Sequence, residues 1–97
     1  MEDKLFLEVK SHLQVTWSDE ETDSKIKRII EDAKPILNHK LGAIIDYSKS
    51  GMEHNLFLNY CFYQWNNCAN EFDNNYINDI YQIRILNEVK SYEENQV

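Results

Sequence analysis

Between Ser50 and Phe72 the chain contains no proline and, after Gly51, no glycine. Leu56, Tyr60, Tyr63 and Asn67 recur at helical spacing along one stripe, and Leu58, Phe62, Trp65, Ala69 and Phe72 along another. A helix that is apolar nearly all round must be covered on most sides, and the core of one small domain cannot cover all of it. The stretch is therefore expected to be the centre of the core and, in part, a contact between subunits. Ser50 and Glu53 form the expected capping box at its start, each side chain satisfying a free backbone donor of the first turn.

The remaining elements follow from the same periodicity. Leu5, Val9 and Leu13, widened by Phe6, predict a helix over 3–14 capped by Asp3. Val15, Thr16 and Trp17 then favour extended backbone, with Trp17 expected as a plug at the corner between helices. Ser18 and Glu21 read as a second capping box within the acidic run Asp19-Glu20-Glu21-Thr22-Asp23, whose charge complements a helix N-terminus. That run lacks the loop glycine and alternating ligands of a calcium-binding hand. Ile26, Ile29, Ile30, Ala33, Leu37 and Leu41 mark one face of a helix over 19–41, kinked at Pro35 and stopped by Gly42. Lys25, Lys27, Arg28, Lys34 and Lys40 fall largely off that face. A connector over 43–49 leads into the central helix. Asp73-Asn74-Asn75 offer caps for a fourth helix over 76–87, marked more loosely by Ile77, Ile80, Ile83 and Arg84 with Leu86 nearby; the alternation Ile83-Arg84-Ile85 also suits a short strand. Residues 88–97 turn polar and are expected to be a flexible tail. The expected fold is thus all-α: four helices at about 3–14, 19–41, 50–72 and 76–87 in one domain over 1–87. Only two glycines and one proline argue against a turn-rich β fold.

Composition narrows function mainly by exclusion. Ninety-seven residues with a net charge of -7 do not suit a general nucleic-acid binder, which needs cations to displace phosphate counterions. No apolar run reaches the length of a membrane span, and Met1-Glu2-Asp3-Lys4 lacks a signal peptide's character; a cytosolic protein is expected. Cys61 and Cys68 are separated by roughly 10.5 Å of helix axis at 1.5 Å per residue, beyond the span of a disulfide. His54 continues that line too widely to share a metal with them. There is no phosphate-binding glycine loop, no nucleophile motif and no paired histidines, so neither catalysis nor a cofactor or metal is expected. Six tyrosines, four phenylalanines and two tryptophans suit core and interface packing.

Three segments together resemble the small head-to-tail connector proteins of tailed bacteriophages and prophages. The first is Leu5-x3-Val9-Lys10-x2-Leu13 with Val15-Thr16-Trp17 and Asp19-Glu20. The second is Ile26-x2-Ile29-Ile30-x2-Ala33 closing at Leu41-Gly42. The third runs from Asn59 through Tyr60-Cys61-Phe62-Tyr63 and Asn66-Asn67 to Phe72, then Asn75-Tyr76. Here Cys68 precedes the alanine of the third segment, and Pro35 stands where a helix former is usual. The resemblance implies a non-enzymatic helical subunit of a dodecameric ring. That ring sits beneath the portal protein, extends the DNA exit channel and meets the next neck or tail component. It further implies residence in the virion neck, and in host cytoplasm during assembly, with DNA passing through the lumen without sequence-specific binding and no membrane involved. A closed ring needs two different faces of a subunit to meet. Tyr60, Tyr63, Trp65, Ile85, Leu86 and Val89 are the candidate interface residues, with the C-terminal segment expected on the portal. The alternative is a small phage or host regulatory protein acting through protein–protein binding.

Overall fold

The computed structural model of the protein describes residues 4–94. Among the described residues the chain forms four helices, α1 (Lys4–His12), α2 (Glu20–Leu41), α3 (Met52–Trp65) and α4 (Phe72–Glu94), with a 3-10 turn at Ala69–Glu71 before α4. Among the described residues there is no strand. The expected Asp3 cap lies outside the described residues.

The helix ends share one device. After α1, Gln14 takes a left-handed φ of 63°, Val15 N donates to Lys10 O at 3.2 Å, and Gln14 N donates to Ser11 O at 3.0 Å. After α2, Gly42 does the same at φ 73°, with Gly42 N and Ala43 N both donating to Asn38 O. After α3 the left-handed residue is Asn67 at φ 59°, with Cys68 N reaching Tyr63 O at 2.9 Å and Asn67 N reaching Gln64 O at 3.1 Å. One left-handed residue lets the following amides close back on the last free carbonyls. The third reversal corrects the expected continuous helix over 50–72. Asparagine tolerates left-handed backbone better than most residues, and Asn66-Asn67 ends α3 although no glycine or proline is near.

Both expected capping boxes are replaced by neighbouring residues. Asp19, not Ser18, caps α2: its carboxylate accepts from Thr22 N at 2.8 Å and Thr22 Oγ1 at 2.7 Å. These hydrogen bonds hold the Asp19 carboxyl below its ordinary range. Ser18 instead accepts from Lys10 Nζ, which also pairs with Asp23 at 2.9 Å. Gly51 precedes α3 at φ 148°, with no side-chain cap. The helix starts one residue late for a Ser50 box, so Glu53 falls at the second helical position, short of where it could reach back.

Leu5, Phe6 and Val9 of α1, Ile26, Ile30, Ala33, Leu37 and Leu41 of α2, and Leu56, Phe57, Tyr60 and Cys61 of α3 close one core, joined by Phe72 and Ile83 of α4. α2 runs as one helix through Pro35, with Leu37 and Leu41 fully buried beyond it. The connector is anchored by Tyr47, stacked on Phe57 at 4.6 Å and donating its hydroxyl to Asn38 Oδ1 at 2.8 Å. Neither tryptophan is fully buried in this core, although Trp65 packs against its edge. Trp17 is 51% exposed, its Nε1 donating to Thr22 Oγ1 at 3.3 Å. Trp65 is half-buried beneath the Lys25 ammonium, 4.9 Å from the ring centroid.

α4 departs most from expectation. It begins at Phe72, is broken by non-helical backbone at Tyr76 (φ -119°, ψ 18°), and continues to Glu94. Residues 88–94, expected to be part of a flexible tail, are helical; residues 95–97 lie outside the described residues. At 1.5 Å per residue α4 is about 34 Å long, in a molecule measuring 50 × 32 × 18 Å.

Candidate assembly surface

α4 is held to the bundle by a few well-defined contacts. Phe72 packs edge-on against Tyr60 at 4.9 Å and Tyr63 at 5.7 Å, and stacks on Tyr76 at 4.9 Å. Asp73 pairs with Lys40 at 2.8 Å. Ile83 is 1% exposed. One turn further, Asn87 Nδ2 donates to Leu41 O at 2.9 Å, satisfying a carbonyl that the end of α2 leaves free. The stem of Arg84 lies against Gly42, its Cγ 3.6 Å from where a β-carbon would stand.

Away from that seam α4 remains apolar. Ile77, Tyr81, Ile85, Leu86 and Val89 are all about half exposed or more. Ile77, Tyr81 and Ile85 recur every four residues, which places them on one stripe of the helix. With Ile80, Arg84 and Glu88 they line a groove of about 310 Å³, where Arg84 and Glu88 approach each other at 3.6 Å. A row of exposed large apolar side chains on one element marks an interaction surface more often than chance scatter does.

The expected interface residues divide sharply. Ile85, Leu86 and Val89 share α4 and are open to solvent. Tyr60 is 4% exposed, its hydroxyl accepting from Gln64 Nε2 at 2.9 Å; the core consumes it and leaves it no surface to offer. Tyr63 and Trp65 are half-buried at the rim. Tyr63 accepts from Asn75 Nδ2 at 2.8 Å and lies edge-on to Tyr76 at 5.8 Å. Sequence reasoning missed Ile77 and Tyr81 as surface residues. The four-residue spacing 77, 81, 85 was the available signal, obscured by the parallel core spacing 76, 80, 83, 87. It also missed Ile44, which stands 95% exposed on the connector.

The polar groups inside the bundle are structural. His54 is 9% exposed, its Nδ1 2.6 Å from the Tyr47 carbonyl oxygen and its Nε2 2.6 Å from Glu8 Oε2. The ring thus ties α1, the connector and α3 together. Burial pushes the Cys61 thiol up to about 12 and the Tyr47 phenol well above its ordinary range. Among the described residues no three His, Cys, Asp or Glu side chains gather as a metal site, and no helix is long and apolar enough to cross a membrane. Comparison with protein-family models, curated proteins and solved structures returns no match to this chain.

Proposed function

We propose that this protein is a structural assembly subunit, a phage or prophage head-to-tail connector that joins a ring beneath the portal protein and meets the next neck or tail component. The observation that carries the reading is the exposed apolar side of α4, spread over Ile77, Tyr81, Ile85, Leu86 and Val89, on a helix where Ile83 is the last fully buried side chain up to Lys90. Core packing does not account for those residues, whereas a subunit interface does. The three connector-like sequence segments add the kind of assembly. Two of them contribute mainly to the bundle that holds α4 in place: Val9, Leu13 and Ile26, Ile30, Ala33, Leu41 are buried.

In this reading the end of α4 carries Leu86 and Val89 to the portal, and the bundle holds the helix at a fixed angle. The net charge of -7 would keep subunits off the DNA passing through the ring. Subunits should associate weakly on their own, because a modest interface must offset the rotational and translational freedom lost on association. The test is a chain ended after Asn87, which keeps the hydrogen bond to Leu41. Its melting temperature and helical signal per residue should match the full chain, while co-sedimentation with portal-bearing capsids should be lost. Normal co-sedimentation of the shortened chain would place the portal contact elsewhere, and an unfolded shortened chain would make residues 88–97 part of the core.

A further inference from the structure

We propose that His54 and Glu8 form a proton-held latch, which fastens α1 to α3 while one proton lies between them and loosens when rising pH removes it. Both ring nitrogens of His54 face oxygen: Nδ1 stands 2.6 Å from the Tyr47 carbonyl oxygen, and Nε2 stands 2.6 Å from Glu8 Oε2. A carbonyl oxygen only accepts, so the hydrogen of the first bond belongs to Nδ1. A neutral imidazole carries one ring hydrogen, and Nδ1 has used it. The second bond therefore needs a further proton between Nε2 and the carboxylate. Imidazole is the stronger base of the two groups, so that proton belongs on Nε2. Without it, two acceptors oppose each other at 2.6 Å, in a site where His54 is only 9% exposed and repulsion is poorly screened. The Glu8 side chain keeps 32% of its surface, which gives the departing proton a path to solvent.

The latch sits where three segments meet. Glu8 lies among Leu5, Phe6 and Val9, all buried, so its carboxylate fastens the turn that carries most of what α1 gives the core. The Tyr47 carbonyl belongs to the connector, whose phenol reaches Asn38 of α2. The surrounding ionisable groups do not supply the missing proton. Burial keeps the Tyr47 phenol neutral, well above its ordinary range. The buried residues of α2 are apolar from Ile26 to Leu41, with Lys34 in a cleft beside Leu5 and Tyr47. On α3 itself, Glu53 lines a cleft with Asp46, Lys49 and, from α4, Lys90. His12, one turn beyond Glu8, is engaged with Asn59 Oδ1 at 3.0 Å.

The direction of the effect follows from the proton count. Below about 6.5, the ordinary imidazole value, an unfolded chain also keeps its histidines charged, and the latch contributes in full. As pH rises beyond that value, the proton is drawn from the folded site and the contribution is lost.

Glu8→Gln separates the proton from the packing. A glutamine amide brings its own hydrogen to Nε2, so the substituted latch closes at any pH. Melting temperatures of both chains are compared from pH 6 to pH 9, the other charges being common to the two. The native chain should fall by about 5 °C relative to Glu8→Gln over that range, and its amides from Leu5 to Lys10 should exchange faster than the variant's at pH 9. Nitrogen NMR of the native chain at pH 7, where a free imidazole is mostly neutral, should show His54 with a hydrogen on both ring nitrogens. Parallel melting curves, or an Nε2 without hydrogen at pH 7, would overturn the latch. The NMR result decides on the native protein alone, even where Glu8→Gln fails to fold.

Discussion

α2 and α4 are nearly the same length, 22 and 23 residues, and they use their apolar residues in opposite ways. α2 puts Ile26, Ile30, Ala33, Leu37 and Leu41 into the core and turns its charged side to solvent, with only Ile36 exposed to 37% among its large apolar residues. α4 gives the core Phe72 and Ile83 and, up to Lys90, leaves five large apolar side chains outside. Apolar residues therefore have different meanings in two helices of nearly equal length. A helix whose apolar residues fit one stripe is explained by its own domain; one with apolar residues on two stripes has a second neighbour to find.

The largest expected effect tests whether α4 belongs to the core at its seam as firmly as α2 does. Leu37→Ala and Ile83→Ala, both at fully buried sites, should each cost about 2–5 kcal/mol in a denaturant melt. An Ile83→Ala chain that melts like the native protein would make α4 an appendage along its whole length. A smaller effect concerns the join between the two helices. Asn87→Ala removes the donor to Leu41 O and should cost about 1 kcal/mol, read as a lower melting temperature with no loss of helix.

The sharpest form of the comparison is an expected absence of effect. Ile85→Ser, on the open side of α4, should change stability by less than about 0.5 kcal/mol. Cys61 supplies a second readout in the same variant. With its thiol pushed up to about 12 from an ordinary value of 9.0, the folded protein holds about a thousandfold less thiolate than an ordinary cysteine near neutral pH. Thiol labelling at pH 8 should reach Cys61 only through unfolding, at the same slow rate in the Ile85→Ser chain as in the native one. The sign follows from the raised value: the neutral thiol's contribution to stability is complete below about 9 and is lost as pH rises toward 12. Faster labelling in Ile85→Ser would show that the open side of α4 supports the core after all.

The all-α architecture and the α2 face were legible because period and burial agreed residue by residue from Ile26 to Leu41. The break at Asn66-Asn67 was harder to see, because apolar spacing continues across it through Ala69 to Phe72. Phe72 does pack with Tyr60 and Tyr63, but from the next helix. Periodicity reports which residues meet, and here they meet after a reversal of the chain. The caps were misplaced by one residue for a related reason: Ser18 and Asp19 are both good caps, and Lys10 takes the serine hydroxyl. Of the candidate interface, the α4 residues were readable from an apolar pattern with nothing left to cover it. Tyr60, Tyr63 and Trp65 were not, since an aromatic residue in a core and one at an interface look alike in sequence.

The order of the helices along the chain has a consequence for how the protein is made. α1, α2 and α3 already bring together most of the core, and α4 adds Phe72 and Ile83 to a largely formed site. On the ribosome, where earlier segments fold first, the exposed apolar side of α4 therefore emerges after the three helices that orient it. It appears when the bundle that orients it is nearly complete. The nascent chain is thereby spared the period in which a sticky helix and an unfinished core are exposed together.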